Sequence, residues 1–140
     1  MKSLIYYLLI CCSLHAYSSS IQLLNRRIEL LETALAPTTT KDLIKLFANA
    51  VKQRNGAVQY MLLCPKLKQK YLAVYEENNW VSGVSSPSIA QYTIKTVTSN
   101  QFVIDFGLQL QGKLVGSMVG IITVAAQPKH CIATYTQQWR

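Results

Sequence analysis

This chain is poor in histidine and in acidic residues. Two histidines and 6 Asp/Glu stand against 14 Lys/Arg in 140 residues, for a net charge of +8. The carboxylates are scattered and no His, Cys, Asp or Glu set has chelating spacing, so the sequence implies no metal and no cofactor. Its 6 glycines form no phosphate-cradling loop. No serine sits in a nucleophile-elbow setting. Low-complexity tracts are missing too, and 50% hydrophobic against 14% charged residues excludes a disordered chain. No apolar run approaches the roughly 20 residues that a helix needs to cross a bilayer. "LVGSMVGIITVAA" (Leu114 to Ala126) does carry the Gly116/Gly120 spacing of packed membrane helices, but it is too short to span. Its glycines read instead as bend points in a strand.

What is present begins with a leader. "MKS" is a short basic start, "LIYYLLICCSL" is a largely apolar run, and "HAYSSS" supplies small residues. This is the layout of a secretory signal peptide, assigned to residues 1–18 with cleavage after Ala16 or Ser18. Lipidation at Cys11 or Cys12 fits poorly, because no small residue of the usual kind precedes either cysteine. The chain is therefore expected to be exported, to the periplasm or cell envelope. Its mature part keeps all but one of the Lys/Arg, with His130, Cys64 and Cys131. In an oxidising compartment two cysteines suggest one bridge, Cys64 to Cys131. Both also sit in apolar settings, "MLLC" and "HCIAT", where a buried thiol is an ordinary core filler. The two readings stay open.

Residues 19–37 read as an amphipathic helix capped by Ser18–Ser20. Ile21, Leu24, Ile28, Leu31 and Leu35 step by three and four along one seam, and Pro37 stops it. Packing on its own domain and binding a partner both fit such a seam. "TTTKDLIKLFANAVKQRNG" reads as a second helix: Thr39 or Thr40 caps it, Leu43, Phe47, Ala50 and Val51 share a face, and Gly56 ends it. A short helix over Ala57 to Leu63 follows, with Tyr60 and Met61 as core contacts. Pro65 opens a fourth, "PKLKQKYLAVYEE", whose Leu67, Tyr71, Val74 and Tyr75 can lie together.

After Pro87 the period changes to two. "IAQYTIKTVTS" and "QFVIDFGLQL" alternate, the second sending Phe102, Ile104, Phe106, Leu108 and Leu110 one way and Asp105 the other. "LVGSMVGIITVAA" is apolar on both faces, as a central strand would be, and "HCIATYTQQW" closes the series. Turns are expected at Asn100, at "QGK" and at Pro128–Lys129. The fold class is α+β, with N-terminal helices packed on a curved four-stranded antiparallel meander.

In the stretch from "TTKDLIKLFANAVKQRNG" through "YMLLCPKLKQKY" and a Gly/Ser/Pro loop to "SIAQYTI", this arrangement resembles the cystatin-like, or NTF2-like, α+β roll of small exported bacterial domains. The resemblance covers residues 38–140 and rests on layout. It implies a hollow between helices and sheet. Members of that family include isomerases, small-molecule binders, and accessory or assembly domains of cell-wall enzymes and secretion machines, so the fold does not choose a function.

Trp80 stands in "ENNWVSGVSSPS", a loop of small residues. It reads as an anchor that closes one end of the core, with pocket lining as the other possibility. Pocket candidates are Trp80, Tyr71, Tyr75, Tyr92, Asp105 and Tyr135. Strand parity turns Asp105 away from the Phe/Ile face, and His130 and Cys131, adjacent on a strand, point oppositely, so no catalytic set is assembled. Lys45, Lys52, Arg54, Lys66, Lys68 and Lys70 concentrate charge in the helical half. An exported chain has little occasion to meet nucleic acid, which leaves anionic lipid, cell-wall polymer or a solvated surface. The expected function is a non-catalytic binding or assembly module of the bacterial envelope, such as a component or accessory of a secretion machine. Leu24, Ile28, Leu31 and Leu35 would then carry a contact with an envelope protein or a second copy. The alternative is a small-molecule or isomerase-like pocket beneath the Trp80 loop.

Overall fold

The computed structural model describes residues 21–125 and 130–140. The signal peptide, the Ser18–Ser20 cap and the Pro128–Lys129 turn lie outside the described residues. The chain divides into two compact units, Met1–Ala36 and Pro37–Arg140.

In the first unit, residues 21–35 form helix α1. Its seam is apolar but open: Ile21, Leu24, Ile28, Leu31 and Leu35 are between 42% and 61% exposed. Arg26 and Glu29 form a 2.9 Å ion pair on its surface, which contributes little at that exposure.

In the second unit, helix α2 spans Thr40–Lys52. Thr39 caps it by accepting the Asp42 N–H at 3.1 Å. Leu43, Phe47, Ala50 and Val51 are buried as their spacing requires, and Ile44 and Ala48 widen the same face. The stop is not at Gly56. Arg54 takes the left-handed conformation (φ 58°) that turns the chain. Gly56 instead opens helix α3, Gly56–Met61, which Asn55 caps. Glycine is needed there for room: a Cβ would lie 2.6 Å from the Trp80 carbonyl oxygen and 2.8 Å from the Tyr75 ring. Helix α4, Pro65–Glu77, starts with proline at its first turn and has no fully buried residue.

The sheet is antiparallel in the order β1 (Ser88–Thr96), β2 (Gln101–Leu110), β3 (Lys113–Ala125) and β4 (Cys131–Trp139). Period-two alternation places Phe102, Ile104, Phe106 and Leu108 on the inner face, all buried. Leu110 shares their parity, yet it is 48% exposed because it stands beside the β2–β3 turn. At that turn Gln111 and Gly112 both take positive φ, the geometry of a two-residue hairpin. β3 is the central strand expected, paired with β2 and β4. Register breaks at Ile89/Gln91, Leu108/Gln109 and Thr123/Val124 bend the strands.

The core is α2 laid on the inner face. Leu43, Ile44 and Phe47 meet Phe102, Ile104, Phe106 and Ile122 in one cluster, and the Phe47 ring packs edge-on against Tyr135 at 4.9 Å. The joint between α3 and α4 is fastened to the start of β4. Cys64 N–H donates to Ile132 O and Ile132 N–H to Leu62 O, both at 2.9 Å. A Cys64–Cys131 disulfide crosses the same point.

Closing a loop of 67 residues should stabilise the fold by about 4 kcal/mol through the unfolded chain. The Cys64→Ser/Cys131→Ser double variant is expected to lose most of that in urea unfolding. A loss under about 1 kcal/mol would show that the link constrains little.

Candidate functional site

Helix α4 is held at both ends. Its first turn hangs from β4 through Cys64, as described above. Its far end returns to the α2–α3 joint, where Gly56 N–H donates to Trp80 O at 2.8 Å and Ser82 N–H donates to Arg54 O at 3.0 Å. The Arg54 side chain adds Nε to Ser82 O and Nη2 to Gly83 O, each 3.2 Å. Trp80 itself has a positive φ of 59°, an unusual conformation for a bulky residue. Its indole holds it there, stacked on Tyr75 at 6.0 Å and edge-on to Tyr60 at 5.3 Å.

Between this strap and the sheet lies a cleft of about 550 Å³. Its floor is apolar: Leu63, Leu108 and Met118 are each at most 5% exposed. Leu67, Tyr71, Val74 and Tyr75 of α4 form one wall, and Ile89 and Tyr135 of the sheet form the other. Ser82–Val84 and Trp139 stand at the margin. Tyr135 fits because β3 has a glycine diagonal to it, Gly120, whose partner in the register is Gln137; a Cβ there would lie 3.0 Å from the Tyr135 ring. Lys52 and Arg54 also line the cleft, and no lining residue is acidic.

Several polar groups of the cleft are bonded to one another. Gln59, 4% exposed, donates from Nε2 to Ala50 O at 3.1 Å and to the Ser82 hydroxyl, while its Oε1 accepts from the Tyr75 hydroxyl at 3.3 Å. Gln137 Nε2 bonds the Tyr135 hydroxyl. Among the described residues no buried side-chain nitrogen or oxygen lacks a hydrogen-bond partner. Burial, then the nearby Tyr71, pushes the Tyr75 phenol up to about 12. Burial raises Tyr135 further, against a lowering by its bond to Gln137. Both hydroxyls stay protonated through neutral pH.

Of the six pocket candidates, Tyr71, Tyr75 and Tyr135 line the cleft. Trp80 is not among its lining residues and packs against Tyr75 and Tyr60. Tyr92 donates to Asn49 Oδ1 at 2.9 Å, and exposed Asp105 lies beside Thr93 and Val119 on the other face of the sheet. His130 Nδ1 meets Thr40 Oγ1 at 3.2 Å. Of the basic cluster, Lys68 lies over Tyr60 and Lys70 over Tyr71, at 5.2 and 5.1 Å from the ring centroids. Sequence reading missed Gln59, Met118 and Gln137. A glutamine in a short helix carries no signal of burial, because its partners come from residues far along the chain.

Neither the family models, nor the curated proteins, nor the solved structures with which the chain was compared gave a match.

The raised phenols make an alkaline signature. A folded-state value above the ordinary 10 means the contribution to stability is complete below pH 10. It is lost as pH rises from about 10 through the Tyr75 value of about 12. In a phenolate absorbance titration, Tyr75→Phe and Tyr135→Phe should each remove a phenol that ionises well above 10. Removal of an ordinary phenol near 10 from either variant would contradict this packing.

Proposed function

We propose that this chain is an exported, non-catalytic binding module that takes a small apolar molecule into the cleft beneath α4. One observation carries the reading: a 550 Å³ hollow walled by apolar side chains whose buried polar neighbours are, among the described residues, already paired. That volume is on the scale of ordinary small-molecule sites. A floor with no orphan donor or acceptor selects for shape and apolarity, since a polar guest would lose hydrogen bonds to water without replacement. The lining also suits binding over turnover. The Tyr75 and Tyr135 phenols are protonated at neutral pH and bonded to the Gln59 and Gln137 amides, and Asp105 is on the sheet's other face. Helices followed by a bent antiparallel meander, with a hollow between them, fit an NTF2-like or cystatin-like roll. The leader and the Cys64–Cys131 link favour work outside the cytoplasm, in the cell envelope.

The neutral fluorophore N-phenyl-1-naphthylamine tests the reading. It should bind saturably, one per chain, with enhanced emission. Val74 and Val84 line the cleft at 51% and 55% exposure, so they can change without loss of the core. Val74→Arg and Val84→Trp should each weaken uptake about tenfold, the effect of roughly 1.4 kcal/mol of lost contact. Uptake that is absent, or unchanged in both variants, would refute the site.

A second reading has its own observation, the open leucine seam of α1. On it, Leu24, Ile28, Leu31 and Leu35 contact an envelope protein or a second copy of the chain. Leu24→Glu/Leu31→Glu should then lower the solution mass to that of a monomer. A monomer before and after would remove self-association from consideration.

A further inference from the structure

The cleft has two chemical zones, and together they specify more than an apolar guest. Its depth offers carbon: Leu63, Leu108 and Met118 on the floor, with Leu67 and Ile89 above them. Among the described residues its only ionisable lining groups other than phenols are Lys52 and Arg54. Lys52 is exposed, in the last turn of α2, and Arg54 is half-buried just beyond. The carbonyl end of α2 lies here too, and its partial negative charge of about one half would repel an anion. Two full positive charges within three residues outweigh it. Arg54 spends two N–H donors on Ser82 O and Gly83 O, of the five that a guanidinium carries. No carboxylate in the lining offsets either cation.

We infer that the occupant is a single-chain anionic amphiphile, a free fatty carboxylate, with its tail on the apolar floor and its head at Lys52 and Arg54. This rests on the reading of the cleft as a binding site. The charge complementarity favours it over the alternatives. A cationic amphiphile would meet repulsion, and a neutral alcohol would leave both cations without a counter-charge. Lys52 is the group to change in a test. Arg54 also fastens the loop through its two carbonyl bonds, so altering it would disturb the wall.

Displacement of N-phenyl-1-naphthylamine from the full chain by dodecanoate, dodecanol and dodecyltrimethylammonium, all below their micellar concentrations, provides the test. Dodecanoate should displace the probe about fivefold more tightly than dodecanol, the effect expected of partly exposed ion pairs. The preference should shrink in about 0.5 M salt and in Lys52→Gln, while dodecanol binding stays as it was. Equal displacement by acid and alcohol, or a preference for the cation, would overturn the inference and leave the apolar site standing. Loss of probe binding itself would bring down both. Sedimentation with anionic phosphatidylglycerol vesicles while the probe stays bound, with no displacement by free dodecanoate, would place the charge on a membrane surface and refute the carboxylate guest.

Discussion

Helix α4 is fastened chiefly at its ends, with Leu67 and Tyr71 packing only partly buried against the core between them. It has no fully buried residue, so contact area alone cannot fix it over the sheet. The segment that leads into it is tied to β4 by the Cys64–Cys131 link and by the hydrogen bonds of Cys64 and Leu62 to Ile132. Its last turn is tied to the α2–α3 joint by Gly56, Arg54 and the aromatic set around Trp80. A helix suspended in this way can stand off the surface beneath it. The cleft exists because of that suspension: released at either end, α4 would be free to settle onto the apolar floor or leave it.

The sheet supplies the other half of the arrangement. α2 covers the inner face with Leu43, Ile44 and Phe47, and Phe47 reaches Tyr135. The core is complete there. Toward Leu108 and Met118 the same inner face continues as the cleft floor under α4. Gln59 lies at the boundary between the two regions and joins three elements at once through Ala50, Ser82 and Tyr75. A buried amide with both donors used and its oxygen bonded adds directionality to a core that is otherwise non-directional. It also leaves nothing for a polar guest to bind in the depth.

Local chemistry made much of the fold legible in the sequence. The strict alternation of "QFVIDFGLQL" gave β2 its residues and its buried face, and Pro65 marked the start of α4. The helix stop was misread at Gly56 because glycine is the usual terminator, whereas here Arg54 adopts the left-handed turn and Gly56 is demanded by the Trp80 carbonyl. That demand comes from 24 residues away and leaves no local pattern. The site was legible in part. Tyr71 and Tyr75 follow from helical spacing on α4, but Gln59, Met118 and Gln137 join the cleft only through tertiary contact. Trp80 drew notice by being alone among small residues, and its place is beside Tyr75 and Tyr60 rather than in the cleft lining.

Intermolecular NOEs on the methyl-labelled chain would locate an apolar guest directly. With bound naphthylamine, cross-peaks are expected to the methyl groups of Leu63, Leu108 and Met118 on the cleft floor, and none to Val103 or Ile121 on the opposite face of the sheet. Cross-peaks confined to Val103 and Ile121, or to the leucines of α1, would show that the hollow beneath α4 is not where this protein binds.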